Sequence, residues 1–95
     1  MELKNTQQLM LMLYGERDRR RGAEGTFMWL VEEIGELSEA VRKRDVFNIK
    51  GEFADVLAWL LSLANVLDVD VIESFEEKYD SVCPSCKKAP CICDK

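Results

Sequence analysis

Two runs of carboxylates dominate the chemistry this chain could perform. Glu32, Glu33 and Glu36 fall within five positions of one amphipathic stretch, and Glu52 and Asp55 repeat the three-residue spacing further on. On a helix, residues three and four apart share a face, so each run converges. Carboxylates crowded into a small volume repel one another and persist either by holding protons or by binding hard cations. The chain has no histidine. That removes the commonest general base and the commonest zinc ligand, leaving acid/base and metal chemistry to carboxylates and thiolates. Oxygen-only ligands select magnesium or manganese over zinc. Glutamates on a helix ordinarily form a solvated face. Here the matched second run and an aspartate set in an apolar stretch weigh against that, because burying Asp55 without a partner costs several kcal/mol.

A second cluster has different chemistry. Cys83, Cys86, Cys91 and Cys93 form a C-x2-C-x4-C-x-C array, with Pro84 and Pro90 beside its two halves. Four thiolates this close suit tetrahedral zinc, and with all four positions filled such a site is structural. All four cysteines lie in this one segment, which reads as a metal knuckle and not a disulfide framework.

The elements that must position these groups are helical. Leu3, Leu9, Met10, Leu13 and Tyr14 predict a first helix ending near Gly15. A polar loop with three glycines is expected over 15–25. A second helix is expected from Thr26, as N-cap, to Arg44, with Phe27, Leu30, Val31, Ile34, Leu37 and Val41 on its apolar side. A third runs from about Phe47 to Leu67, and a fourth starts at Asp70 with Glu73 completing a capping box. Glu36 and Glu52 then lie at depths of roughly 12 Å and 8 Å from the bend between the second and third helices. An antiparallel pair therefore brings the two acidic runs almost level. The expected architecture is all-α: an antiparallel four-helix domain over 1–82, with a zinc-knuckle tail over 83–95.

The third helix sets the expectation for assembly. Its stretch 53–64 is apolar almost all round, interrupted by Asp55, and a helix without a polar face has to be covered on every side. One short chain cannot supply that cover. The four-helix bundle is expected to be completed by oligomerisation, as a dimer or a dimer of dimers.

The 95 residues amount to one small domain, 47% hydrophobic and 33% charged, which excludes disordered and fibrous classes. A net charge of −5 disfavours a nucleic-acid polymer as partner. No signal peptide and no apolar run of about 18 residues is visible, so no membrane partner and a cytoplasmic location are expected.

Glu32-Glu33-x-x-Glu36, fifteen residues, then Glu52-x-x-Asp55 resembles the signature of the MazG-like all-α nucleoside triphosphate pyrophosphohydrolases. Trp29-Leu30-Val31, Gly35-Glu36-Leu37 and Val56-Leu57-Ala58-Trp59 extend the resemblance, which covers about residues 5 to 80. It implies magnesium-dependent hydrolysis of a nucleoside triphosphate between its α- and β-phosphates, giving a monophosphate and pyrophosphate. Carried over by position, Glu33, Glu36, Glu52 and Asp55 are the implied metal ligands, and Glu32 is a base or an outer residue. Trp29 and Trp59 lie one helical turn from Glu33 and Asp55, where an indole can stack on a base or simply pack the core. Ser62 is a further turn along the same stripe and is a candidate base or sugar contact. Asp18-x-x-Arg21-Gly22 resembles an element of close relatives, with Arg21 as a phosphate contact in the loop. Two other readings stand beside this one: a phosphoribosyl-ATP pyrophosphohydrolase, which belongs to the same family, and a non-catalytic helical interaction module docking through its zinc tail.

Overall fold

The computed structural model describes residues 1–94; Lys95, at the end of the expected tail, lies outside the described residues. The described residues form three helices: α1 (Leu3–Lys43), α2 (Val46–Val66) and α3 (Val71–Lys78). The described residues contain no strand, as the sequence predicts, but three helices stand where four were expected. The loop forecast over 15–25 is helical on both sides of a single interruption, at Gly22. Glycine weakens a helix by about 1 kcal/mol relative to alanine. Gly15 nevertheless stays helical and is buried within α1.

Gly22 behaves differently. Its φ of 85° and ψ of 170° break the helix, in a region of backbone space open essentially to glycine alone. A straight helix of 41 residues would be about 60 Å long, yet the longest dimension of the molecule is 42 Å. The break folds α1 into two arms that both reach α2. A Cβ at position 22 would meet nothing within 4 Å, so the requirement for glycine is one of backbone angle and not of space. Gly22→Ala is expected to destabilise the protein by about 1–3 kcal/mol, read as a lower urea midpoint at constant m-value. An unchanged midpoint would show that the bend does not depend on this residue.

Thr26 is not an N-cap. The chain re-enters the helix directly after Gly22, so Thr26 is already inside α1, fully buried, with its hydroxyl taking a hydrogen bond from Arg21 Nη1 at 3.4 Å. Arg44, at φ 57°, ends α1, and Asp45 opens α2 by accepting from the Asn48 side chain at 2.8 Å. This two-residue connection turns the chain back on itself, so the second arm of α1 and α2 lie antiparallel. Trp29 stacks on Trp59 with ring centroids 5.8 Å apart, and Glu36 lies across from Glu52 in the same register. At the far end, Gln7 fastens the first arm to the α2–α3 turn. Its amide donates to Asn65 Oδ1 at 3.0 Å and to the Val69 carbonyl at 2.7 Å, and accepts from the Val71 N–H at 3.1 Å. Asp70 caps α3 as expected, accepting from the Glu73 N–H at 3.1 Å.

The core of the chain is slight. Leu30, Ala40, Leu61 and Ala64 are its buried apolar residues, while Phe27, Met28, Trp29, Ile34, Phe53 and Leu60 are all exposed. No helix among the described residues is long and apolar enough to cross a membrane.

Candidate functional site

The second arm of α1 presents Glu33 and Glu36 one turn apart, and α2 presents Glu52 opposite them. One carboxylate oxygen from each lies within 4.8 Å of the others. Glu33 and Glu52 are half-buried, and each has one oxygen, Oε2, that is inaccessible to water and has no hydrogen-bond partner. Burial pushes the Glu33 carboxyl up to about 7, reinforced by a hydrogen bond with Glu36 and by the charges of Glu36, Asp55 and Glu52. Glu52 is raised as well, first by burial and then by the charges of Glu36 and Asp55. Such a cluster is unfavourable in itself and becomes favourable once protons or a cation occupy it.

Asp55, one turn after Glu52, is exposed in the chain, contrary to the burial the sequence suggested. α2 has only α1 against it on this side, and Asp55 projects beside the cluster instead of under a neighbour. It is still near enough to raise both Glu33 and Glu52. Glu32 is exposed and stands outside the converging trio, because one position along a helix turns a side chain about 100° from its neighbour.

Glu36 and Glu52 line a cleft of about 260 Å³ with Ala40, Lys43 and Asn48, and Asp55 leads on to a second cleft of the same volume, between the first arm of α1 and α2. Met10, Tyr14 and Asp18 form one wall at four-residue spacing, and Asp55, Ala58, Trp59 and Ser62 form the other. Trp59 and Ser62 thus face this cleft, with Ser62 nearly fully buried. Trp29 is not part of its wall and stacks on Trp59. Arg21 is in helix α1 and not in a loop. Its guanidinium pairs with Asp18 Oδ1 at 2.8 Å and lies 4.7 Å from the centre of the Trp59 ring. Met10, Tyr14 and Asp18 were not singled out as site residues from sequence. Their common face is visible in the four-residue spacing once 15–21 is read as helix, and three glycines concealed it.

In the tail, Cys83, Cys86, Cys91 and Cys93 bring their sulfurs within 4.8 Å of one another. Cys83 lies 3.8 Å from Cys93, and Cys86 lies 3.9 Å from Cys91. The Cys83 N–H donates to the Lys88 carbonyl and the Lys87 N–H to the Cys83 carbonyl, folding a tight turn around the first pair. Backbone N–H groups of Cys86 and Ser85 directed at the Cys83 sulfur bring its thiol down to about 6, and the Ile92 N–H lowers Cys86. Hydrogen bonding with the other three sulfurs, Cys91 first, pushes Cys93 up to about 11.

Comparison with known proteins identifies the family. The dATP/dGTP diphosphohydrolase of Cyanophage S-2L is 48% identical over 61 residues, which are 64% of this chain and 52% of the phage protein, so the chain spans about half the length of that relative. Residues 21–87 match the MazG nucleotide pyrophosphohydrolase domain, a stretch that contains the whole Glu33–Glu36–Glu52 cluster, and the chain belongs to this family.

Proposed function

We propose that the protein is a magnesium- or manganese-dependent nucleoside triphosphate pyrophosphohydrolase, converting a triphosphate and water to a monophosphate and pyrophosphate. The observation that carries this reading is the Glu33–Glu36–Glu52 cluster, with two buried oxygens that have no hydrogen-bond partner, connected through Asp55 to a cleft walled in part by Tyr14 and Trp59. The donor set fits a hard divalent cation: all oxygen, anionic, and destabilised by mutual repulsion without one. Glu33, Glu36 and Glu52 would hold it, with Asp55 beside them as a further candidate ligand. When bound, such a cation neutralises phosphate charge and acidifies water. Glu32, exposed outside the trio, would serve either as the base that takes the proton of the attacking water, since no histidine is present, or as an outer residue supporting the ligands. Trp59 and Ser62 line the space for the base and sugar, and Trp29 supports Trp59 from behind. The name of the phage relative makes purine deoxynucleoside triphosphates the first substrates to test.

The decisive measurement is pyrophosphate release from a panel of ribo- and deoxynucleoside triphosphates, with phosphoribosyl-ATP included, in magnesium, in manganese and in chelator. Release of orthophosphate, or full activity in chelator, would overturn the reading. Hydrolysis of phosphoribosyl-ATP alone would move the protein to histidine synthesis, and no hydrolysis at all would favour a docking module.

The cysteine tail is proposed to hold structural zinc. A tetrahedron with Zn–S bonds of about 2.3 Å has edges near 3.8 Å, and the Cys83–Cys93 and Cys86–Cys91 sulfurs are 3.8 and 3.9 Å apart. Purified protein is expected to contain about one zinc per chain, which a cysteine-reactive mercurial releases together with four titratable thiols. Four freely reactive thiols before any such treatment, with no zinc, would refute the site. Cys83→Ser with Cys93→Ser is expected to abolish zinc binding and leave pyrophosphate release in place, because the tail contributes no group to the carboxylate cluster.

A further inference from the structure

Asp18 is the most thoroughly buried charged residue among those described, 2% exposed. Only half of its carboxylate is satisfied. Oδ1 accepts from Arg21 Nη1 at 2.8 Å, while Oδ2 is buried and has no hydrogen-bond partner. Asp18 forms part of the cleft wall. A buried acceptor without a donor costs about 1–3 kcal/mol, and native structures rarely leave one so unless a ligand or an ordered water completes it.

The surroundings narrow what that ligand is. Arg21 already supplies the carboxylate with a positive charge, so Oδ2 offers a lone pair to a neutral donor and not a site for a cation. Arg21 is itself held, by Thr26 Oγ1 at 3.4 Å and over the Trp59 ring, which fixes the carboxylate in place. Tyr14, Ala58 and Trp59 make the neighbouring walls largely flat and apolar. At about 260 Å³ the cleft is smaller than the roughly 300–1,000 Å³ typical of sites for whole small molecules. It suits one planar ring with a donor on its edge, while Asp55 at its rim leads on to the carboxylate cluster.

We infer that Asp18 is a specificity-determining residue whose Oδ2 accepts a hydrogen bond from an amino group on the substrate's base, selecting amino-bearing bases over those without one. The inference rests on the pyrophosphohydrolase reading for its ligand class. Its test uses monophosphates, so that it does not depend on turnover.

Matched pairs differing only in the amino group supply the readout: dGMP against dIMP, and dAMP against the monophosphate of purine deoxyriboside. Calorimetry on the full chain is expected to show that deleting the amino group weakens binding about 10- to 100-fold in at least one pair. Asp18→Asn keeps the size and, because Arg21 still requires an oxygen, turns the amide nitrogen toward the cleft, replacing an acceptor by a donor. The amino-group preference is then expected to vanish or invert, with circular dichroism confirming the fold. No preference in the wild-type protein would overturn the inference without recourse to a variant. So would the same preference in both proteins, or failure of every monophosphate to bind. Pyrophosphate release without any amino-group preference would refute the role of Asp18 and leave the proposed function standing. Preferential binding without hydrolysis would do the reverse.

Discussion

Glu36→Gln is expected to reduce pyrophosphate release at least about 100-fold. Changing residues that merely hydrogen-bond to metal ligands already costs about 10–100-fold, and Glu36 contributes directly to the trio of converging oxygens. Asp55→Asn is expected to act in the same direction. The loss should come with a gain in stability of the metal-free protein, and Glu33→Gln shows this most clearly. The Glu33 carboxyl is raised from its ordinary 4.5 to about 7 in the fold. Between those values the native state binds more protons than the unfolded chain, so metal-free stability falls as pH rises from about 4.5 through about 7, and stays low above that. Glu33→Gln removes the group responsible. Its melting temperature should match that of the wild type near pH 4.5 and exceed it at pH 8, in chelator, with the sign reversing when magnesium is restored. Undiminished turnover in Glu36→Gln, or a metal-free Glu33→Gln less stable than wild type at pH 8, would remove that residue from the site.

The second large effect concerns assembly. With Leu30, Ala40, Leu61 and Ala64 as its buried apolar residues, the chain leaves Phe53, Leu57 and Leu60 of α2 and Phe27, Val31 and Ile34 of α1 substantially open to water. Fully burying a leucine or phenylalanine side chain contributes about 1.5–3 kcal/mol, an appreciable part of the 5–15 kcal/mol that holds a typical domain together. A second copy of the same surface, related by a twofold axis, covers these side chains most simply. We therefore expect light scattering to give two or four times the 10.9 kDa of one chain, at concentrations where activity is full. Leu57→Glu places a charge in that contact and is expected to dissociate the assembly and lower stability together. A fully active wild-type monomer would refute the interface.

The carboxylate geometry was readable from sequence because it depends on two local regularities. Helical periodicity puts residues three apart on one face, and a two-residue connection at Arg44–Asp45 sends the next helix back at a known rise per residue. Glu36 and Glu52 therefore meet across a short, stiff hairpin whose register leaves little freedom. The Asp70 cap and the cysteine array were legible for the same reason, since their partners lie within eleven positions of one another. Gly15, Gly22 and Gly25 look alike in sequence, and only the packing of α1 against α2 decides that two of them stay helical while the third bends the chain. With that bend unrecognised, Thr26 passes for a cap and Arg21 for a loop residue. Asp18 belongs with them: its neighbours Trp59 and Ser62 are some forty positions away, and their meeting depends on where the first arm of α1 crosses α2. Local spacing determines which side chains share a helix face. The angle at a single glycine, set by the burial available on both of its sides, decides which faces meet.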